Sequence, residues 1–140
     1  MIKPKPLQQG DSVAIIAPAS PTDKNLIDKC VDSLNQLGLK VVVGESCLSE
    51  HGFLSGTDDI RANDINCMFA DKNIKGIFAL RGGYGCARLL NLIDFKLIKK
   101  NPKIFVGYSD ITALHIAINQ KSKLITYHGP MISTELIKGL

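Results

Sequence analysis

Tryptophan is absent from this 140-residue sequence, and aromatic residues make up only 6% of it. The densest basic stretch, Lys96–Lys103, has only Phe95 and Phe105 beside it, and nucleic-acid bases need interleaved aromatic side chains on which to stack. The net charge of +4 is mild and does not by itself indicate a nucleic-acid partner. We therefore expect a solvated helix face at Lys96–Lys103 and no nucleic-acid binding.

Long apolar runs and paired cysteines are also missing. No run approaches the ~20 apolar residues of a membrane span, and the opening MIKPKPLQQGD lacks the apolar segment of a secretory signal. The four cysteines are dispersed without a Cys-x-x-Cys pair, which argues against zinc, and Asp58, Asp59 and Asp64 are expected at a helix N-terminus and on its exposed face. We expect a reduced, cytoplasmic protein with no membrane partner, metal or other cofactor.

What the sequence does contain is a regular alternation of short apolar runs and amphipathic stretches. Apolar residues make up 45% of the chain, which is enough for one domain with a real core. Near-continuous apolar strands separated by helices favour a parallel sheet covered on both faces. The predicted fold is a three-layer, doubly wound, mainly parallel α/β domain of the Rossmann or flavodoxin-like and class I glutamine amidotransferase-like kind. Its predicted strands are residues 13–17, 40–43, 74–80, 104–106 and 124–127.

Three loops leave the carboxyl ends of predicted strands: APASP at 17–21, RGGYG at 81–85 and GYSD at 107–110. In open α/β sheets the working residues lie in such loops, so we expect all three at one edge of the sheet. In the first loop, Ser20 precedes a proline and has Asp23 three residues later, a pattern typical of a helix N-cap.

Ser109 stands in a sharp turn between an apolar strand and an apolar helix. Such a turn exposes the serine hydroxyl and points the N–H of Asp110 at the same space, which suits a nucleophile with an oxyanion donor. A strained backbone at Ser109 is then expected. The alternative is that Ser109 or Asp110 simply caps the last helix. Ile111 stands where a lipase-type G-x-S-x-G pattern would have its second glycine, so that pattern is incomplete.

The glycines of RGGYG permit close backbone approach, so that consecutive N–H groups can converge on an anion. A tight structural turn, an oxyanion or carboxylate pocket and a nucleotide site all stay open, although neither the dinucleotide fingerprint nor a phosphate-binding P-loop fits.

A base for the serine is harder to find. His115 lies six residues after Ser109, roughly 240° around a helix, and is expected to pack inside. His51 falls in a polar loop and is expected at the surface. His128 follows the fifth predicted strand at the correct edge, where a structural role beside Gly129 is favoured over a general base.

Five segments together resemble the LD-carboxypeptidase family of serine peptidases: GDSVAIIAPASP, SGTDDIRANDINCMFAD, IKGIFALRGGYGCARLL, NPKIFVGYSDITALH and YHGPM. The resemblance covers nearly the whole chain. It implies that Ser109 is the nucleophile and that Asp110 with Gly82 or Gly83 supplies the oxyanion N–H groups. The implied reaction releases the terminal D-alanine of a murein tetrapeptide during cell-wall recycling, with no cofactor.

The resemblance also implies that the partner Glu and His lie in a C-terminal domain beyond Leu140. Residues 1–140 are then the N-terminal domain, expected to be inactive alone and to self-associate or be disordered near its carboxyl end, while the full-length protein forms a homodimer. Three alternatives stay open: a microcin-immunity-type amide hydrolase of the same family, a non-catalytic anion-binding domain and a nucleotide-binding domain.

Overall fold

A computed structural model describes residues 1–133 of the chain. Its regular elements alternate between strand and helix. They are β1 (Ser12–Ile16), α1 (Lys24–Gln36), β2 (Lys40–Val43), α2 (Asp58–Ala70), β3 (Ile74–Ala79), α3 (Phe95–Lys100), β4 (Ile104–Gly107), α4 (Thr112–Ser122) and β5 (Tyr127–His128). None of the helices in this part of the chain is long and apolar enough to span a membrane.

The five strands form one sheet in the order β2-β1-β3-β4-β5, and every neighbouring pair is parallel. This is the flavodoxin-like, doubly wound order, whose topological switch point lies between β1 and β3. The predicted α/β fold class is therefore confirmed. The last strand is shorter than predicted and shifted: Leu124 forms an isolated bridge with Ile2, and only Tyr127–His128 pairs with β4.

Alternate residues of β1 belong to two separate hydrophobic cores because successive side chains of a strand point to opposite faces of the sheet. Ala14 and Ile16 pack with α2, α3 and α4, whereas Val13 and Ile15 pack with α1. The sheet is thus covered on both faces and fully buried at its centre. Both ends of each strand are left as the places where loops can form a site.

Three helix starts show which side chains act as N-caps. Thr57 and Asp94 accept hydrogen bonds from the third residue beyond them and cap α2 and α3. The prediction that Ser20 caps α1 is wrong: Asp23 is the cap, accepting from the N–H of Asn25 at 2.7 Å. Ser20 is left free for a different role at the sheet edge.

The prediction of a solvated face over residues 96–103 is wrong at its last residue. Lys103 is buried, and its ammonium donates to the carbonyls of Met68, at 2.8 Å, and of Asp71. It closes the C-terminal end of α2, where unpaired carbonyls favour a cation. The expectation of disorder near the carboxyl end falls on residues 134–140, outside the described residues.

Candidate active site

The three glycine- and serine-bearing loops meet at the carboxyl edge of the sheet, as predicted. Ser20 donates its N–H to the carbonyl of Gly82 at 3.3 Å, and its hydroxyl accepts the N–H of Tyr84 at 3.3 Å. The carboxylate of Asp110 accepts the N–H of Cys86 at 3.0 Å. Each loop is therefore hydrogen-bonded to another, which fixes their relative positions without a ligand.

Ser109 has a left-handed backbone, with φ of +58°. Among the described residues other than glycine, only Lys123 shares a positive φ, so the predicted strain at Ser109 is confirmed. The serine begins a single 3₁₀ turn, Ser109–Ile111, and its side chain is exposed and caps nothing. The N-cap position of α4 is Ile111, without a side-chain hydrogen bond, so the capping alternative for Ser109 and Asp110 is wrong.

Gly82 lies directly against this serine. A methyl group built on Gly82 would stand 3.1 Å from the Cβ of Ser109, 3.2 Å from its Oγ and 3.5 Å from the N of Asp110. Within residues 1–133, the N–H groups of Gly82, Gly83 and Asp110 donate to no other described residue. The serine hydroxyl therefore lies close to Gly82 and Asp110, whose N–H groups are unpaired within the described residues, an arrangement that can hold a negatively charged oxygen.

The other two glycines of the RGGYG turn are required by backbone shape and by close neighbours. Gly83 has φ of +116°, and a side chain there would overlap the hydroxyl of Ser20. Gly85 has φ of +126°, and its added Cβ would lie 2.7 Å from Nη1 of Arg61. The turn is thus fitted between the β1 loop on one side and a buried arginine on the other.

Arg61 is a residue that sequence reasoning missed. It is wholly buried, and its guanidinium donates to the carbonyls of Pro18 at 2.8 Å, Gly85 at 3.0 Å and Gly56 at 3.1 Å, as well as to the carboxylate of Asp58. Three different loops are joined by one side chain. The spacing of Asp58 and Arg61 signals an ion pair on a helix, but nothing in the sequence reveals main-chain partners.

The predicted exposed carboxylates behave differently from one another. Asp58 is half-exposed and also pairs with Arg88, whose hydrogen bonds are the main reason that the pKa of Asp58 is lowered. Asp59 is exposed, as expected. The prediction is wrong for Asp64, which is buried and accepts the N–H groups of Ser46, at 2.8 Å, and Glu45, at 3.2 Å. No group of residues 1–133 has the arrangement of a metal site.

None of the three histidines forms a hydrogen bond with Ser109. His115 is buried, and its two ring nitrogens are within hydrogen-bonding distance of the Thr126 hydroxyl (2.6 Å) and the Gly107 carbonyl (2.8 Å). Burial lowers its pKa, and as predicted it is a packing residue. His51 is exposed, also as predicted. His128 is exposed at the correct edge, with its ring 5.9 Å from that of Tyr108.

Cys86 also lies in this region but cannot replace the serine as nucleophile. It is fully buried, and desolvation together with the nearby Asp110 carboxylate raises the pKa of its thiol far above the ordinary value. A thiol must ionise to attack, so this one is inert near neutral pH. Among the loops at this edge, Ser109 is therefore the exposed nucleophile candidate, and its hydroxyl makes no hydrogen bond to any described residue.

Fold and site together define a flavodoxin-like α/β domain whose carboxyl-edge loops gather around a strained, exposed serine. Comparison with known proteins gives the family. The LD-carboxypeptidase N-terminal domain matches residues 13–129, and the chain belongs to this family of serine carboxypeptidases.

Curated relatives and solved structures agree with that assignment. A probable murein peptide carboxypeptidase of Bacillus subtilis is 49% identical over 134 residues, covering 96% of this chain and 42% of the relative. The microcin C7 self-immunity protein MccF, in complex with aspartyl sulfamoyl adenosine, superposes with a TM-score of 0.93 at 33% identity, over 98% of this chain and 42% of that one.

A muramoyltetrapeptide carboxypeptidase from Oxalobacter formigenes gives a TM-score of 0.83 at 30% identity, over 91% of this chain and 43% of that structure. The chain therefore spans about two fifths of the length of these relatives.

Proposed function

We propose that Ser109 is the nucleophile of an LD-carboxypeptidase that removes the terminal D-alanine from a murein tetrapeptide. The observation that carries this proposal is the left-handed, exposed Ser109 beside Gly82 and Asp110, whose N–H groups, like that of the adjacent Gly83, are unpaired within the described residues. The likeness to a probable murein peptide carboxypeptidase and to a muramoyltetrapeptide carboxypeptidase supports the substrate class.

In the proposed reaction, Ser109 Oγ attacks the carbonyl carbon that joins the L-centre of a diamino acid to D-alanine. The hydroxyl proton passes to a general base, and the carbonyl oxygen becomes an oxyanion that accepts hydrogen bonds from Asp110 and Gly82 or Gly83. Return of the proton to the leaving nitrogen releases D-alanine, and water then hydrolyses the acyl-serine ester. In this proposal, residues 1–140 contribute the nucleophile and the electrostatic stabilisation of that oxyanion.

The general base in this proposal is a His, oriented by a Glu, from a C-terminal domain outside residues 1–140. Its support is that His51, His115 and His128 form no hydrogen bond with Ser109, together with the share of the relatives' length that the chain spans. A serine hydroxyl without a base is a weak nucleophile near neutral pH. Both halves are accordingly required for turnover.

The test uses the protein extended to the length of its relatives. Purified protein should release D-alanine from the tetrapeptide, and a fluorophosphonate should add covalently to Ser109, located by mass spectrometry of the peptides. Ser109→Ala should abolish both, whereas Ser33→Ala, a serine on α1 far from the edge, should leave both intact. Full turnover by Ser109→Ala would refute the assignment of the nucleophile.

A second candidate is the amide hydrolysis of an aminoacyl nucleotide, favoured by the TM-score of 0.93 to an immunity protein bound to aspartyl sulfamoyl adenosine. The two share the Ser109 chemistry and differ in the leaving group and its pocket. Measuring kcat/KM of the extended protein on the tetrapeptide and on a microcin-type aminoacyl nucleotide separates them, since the true substrate should be favoured by orders of magnitude.

The proposal also has a cellular and an assembly part. A tetrapeptide released during cell-wall recycling is a cytoplasmic substrate, so the enzyme is proposed to act there, as a homodimer of the longer protein. Residues 1–140 alone are expected to self-associate, because a domain interface of this kind buries roughly 600–1,500 Å² that would be left open. Sedimentation of the two forms tests this, and a monomer in both would contradict it.

A further inference from the structure

A cavity of about 710 Å³ opens at the amino edge of the sheet, the edge opposite Ser109. It lies where the N-terminal segment passes the starts of β1, β3 and β4. Its size is in the range of small-molecule sites, roughly 300–1,000 Å³. Its charged lining is almost entirely basic: Lys3, Lys5, Lys72, Lys75, Lys103 and one acid, Asp11.

The single acid does not neutralise these lysines. The carboxylate of Asp11 accepts the N–H of Gln8 at 2.9 Å and closes its own turn. The ion pairs formed within residues 1–133 both belong to Asp58, which lies on α2 towards the other edge of the sheet. The positive charge of the cavity is therefore uncompensated by ion pairs, and a concave wall concentrates its field.

Two of the five ammonium groups are held in place by the backbone. Lys103 is only 6% exposed and donates to the carbonyls of Met68 and Asp71, and Lys75 donates to the carbonyl of Lys72 at 3.0 Å. An ammonium has three donors, so Lys103 keeps one donor and Lys75 keeps two for another acceptor. The cations are thus partly ordered before any ligand arrives, which reduces the entropy lost on binding.

Lys103 is buried without a carboxylate in ion-pair contact, and desolvation of its ammonium costs free energy. Desolvation, together with the charge of Lys75, lowers the pKa of Lys103 to about 8, although the Asp71 carboxylate opposes the shift. Carbonyls at the end of α2 offset part of this cost, which is the structural role of the residue. An anion in the cavity would offset the rest and would also meet the four exposed lysines.

We propose that this cavity binds a small polyanion, a molecule with two or more phosphate or carboxylate groups. Lysine ammonium groups bind such groups as point charges. No aromatic residue lines the cavity among the described residues, so the stacking platform that single-stranded nucleic acid needs is missing. Because the strands separate the cavity from Ser109, its ligand is not the substrate of the serine and stands apart from the proposed reaction.

The test is calorimetric titration of the chain with pyrophosphate and with citrate, at one ionic strength held constant with sodium chloride. One probe carries phosphates and the other carboxylates, so the pair identifies the preferred group. We expect saturable 1:1 binding by at least one probe. Lys5→Gln and Lys75→Gln should each weaken it about tenfold, as for the loss of one charge-assisted hydrogen bond. Lys29→Gln, an exposed lysine on α1, should leave it unchanged.

Amide NMR shifts locate the site independently of affinity. Pyrophosphate or citrate should move the signals of residues 72–75 and 101–103 and leave those of 107–110 in place. The proposal is overturned by the absence of saturable binding to both probes, or by equal weakening in Lys29→Gln and Lys75→Gln. Tighter binding of a single-stranded oligonucleotide than of either probe, lost in Lys75→Gln, would overturn it in favour of nucleic acid.

Discussion

Replacing Arg61 by methionine should destabilise the domain more than any other single change near the site. Methionine keeps a long, flexible side chain but removes every donor, so the carbonyls of Pro18, Gly56 and Gly85 lose their partner. All three carbonyls belong to buried residues, where an unsatisfied acceptor costs about 1–3 kcal/mol. Such losses are not additive, and the removal of one partner from a buried charged network typically costs about 3–5 kcal/mol.

A domain of this kind has a total stability of about 5–15 kcal/mol, so Arg61→Met should be marginal. The midpoint of thermal unfolding should fall by roughly 10–20 °C, given a few degrees per kcal/mol at this length. Arg61→Lys should lose less, because an ammonium retains three of the donors. Asp58→Asn should lose least, since the Asp58 side chain is 30% exposed and exposed ion pairs contribute about 1 kcal/mol or less.

Urea unfolding followed by circular dichroism measures these free energies without needing tryptophan. Hydrogen exchange adds a local readout: amides of residues 18–20 and 82–86 should lose protection in Arg61→Met before the strands do, because their loops are what the guanidinium joins. The idea that one arginine fixes the three loops would be refuted if the unfolding free energies of Arg61→Met and the parent chain differed by less than about 1 kcal/mol. It would also be refuted if hydrogen exchange rose evenly throughout the sheet.

Three further predictions follow from other contacts. Gly83→Ala should lower the free energy of unfolding more than Gly10→Ala does. Both glycines have positive φ (+116° and +89°), but only Gly83 has a neighbour, Ser20, within 4 Å of an added Cβ. The double variant Ser20→Gly/Gly83→Ala should remove the difference between the two single variants but not the cost of the positive φ itself. The pKa of Lys103 is about 8 in the folded chain and 10.5 in the unfolded chain, so between these pH values the unfolded chain binds more protons and the stability contributed by this group rises with pH. The unfolding free energy of the parent chain, relative to that of Lys103→Met, should therefore increase from pH 8 to 10.5. A difference that stays constant over this range would contradict the lowered pKa. Residues 1–140 alone should hydrolyse the tetrapeptide slower than the extended protein by a factor on the order of 10⁴–10⁶, and comparable rates would mean that a base lies within these residues, with His128 the first to mutate.

The parallel sheet and the position of its loops could be predicted because they depend on signals that are local in sequence. Continuous apolar runs give buried strands, and a chain that alternates strand and helix returns each new strand in the same direction. The strained backbone of Ser109 was also predictable, since a sharp turn between two buried elements leaves few conformations. These features need no knowledge of which distant residue is the partner.

Residues whose partners are distant main-chain groups were not predictable. Arg61 binds carbonyls 5, 24 and 43 residues away, and Asp64 accepts N–H groups 18 and 19 residues away. A charged residue on a helix is normally solvated, so its burial is determined by tertiary contacts that no spacing records. Ser20 is the inverse case: its local pattern fits a helix cap, but its hydroxyl accepts the N–H of Tyr84 in the glycine-rich turn.

The contacts among the loops indicate which step of the proposed reaction these residues prepare, oxyanion stabilisation or proton transfer. The glycine-rich turn is fixed by Ser20, which accepts the N–H of Tyr84, and by Arg61, which donates to the carbonyl of Gly85. The carboxylate of Asp110 accepts the N–H of Cys86, which follows the turn. Donors held in this way need no rearrangement when charge develops, which is the condition under which an oxyanion site is most effective. Proton transfer has no such preparation within the described residues. If Ser109 is the nucleophile, the base activates its hydroxyl only once it is docked against the oxyanion site, which is already formed. Substrate binding alone is then not sufficient for the attack.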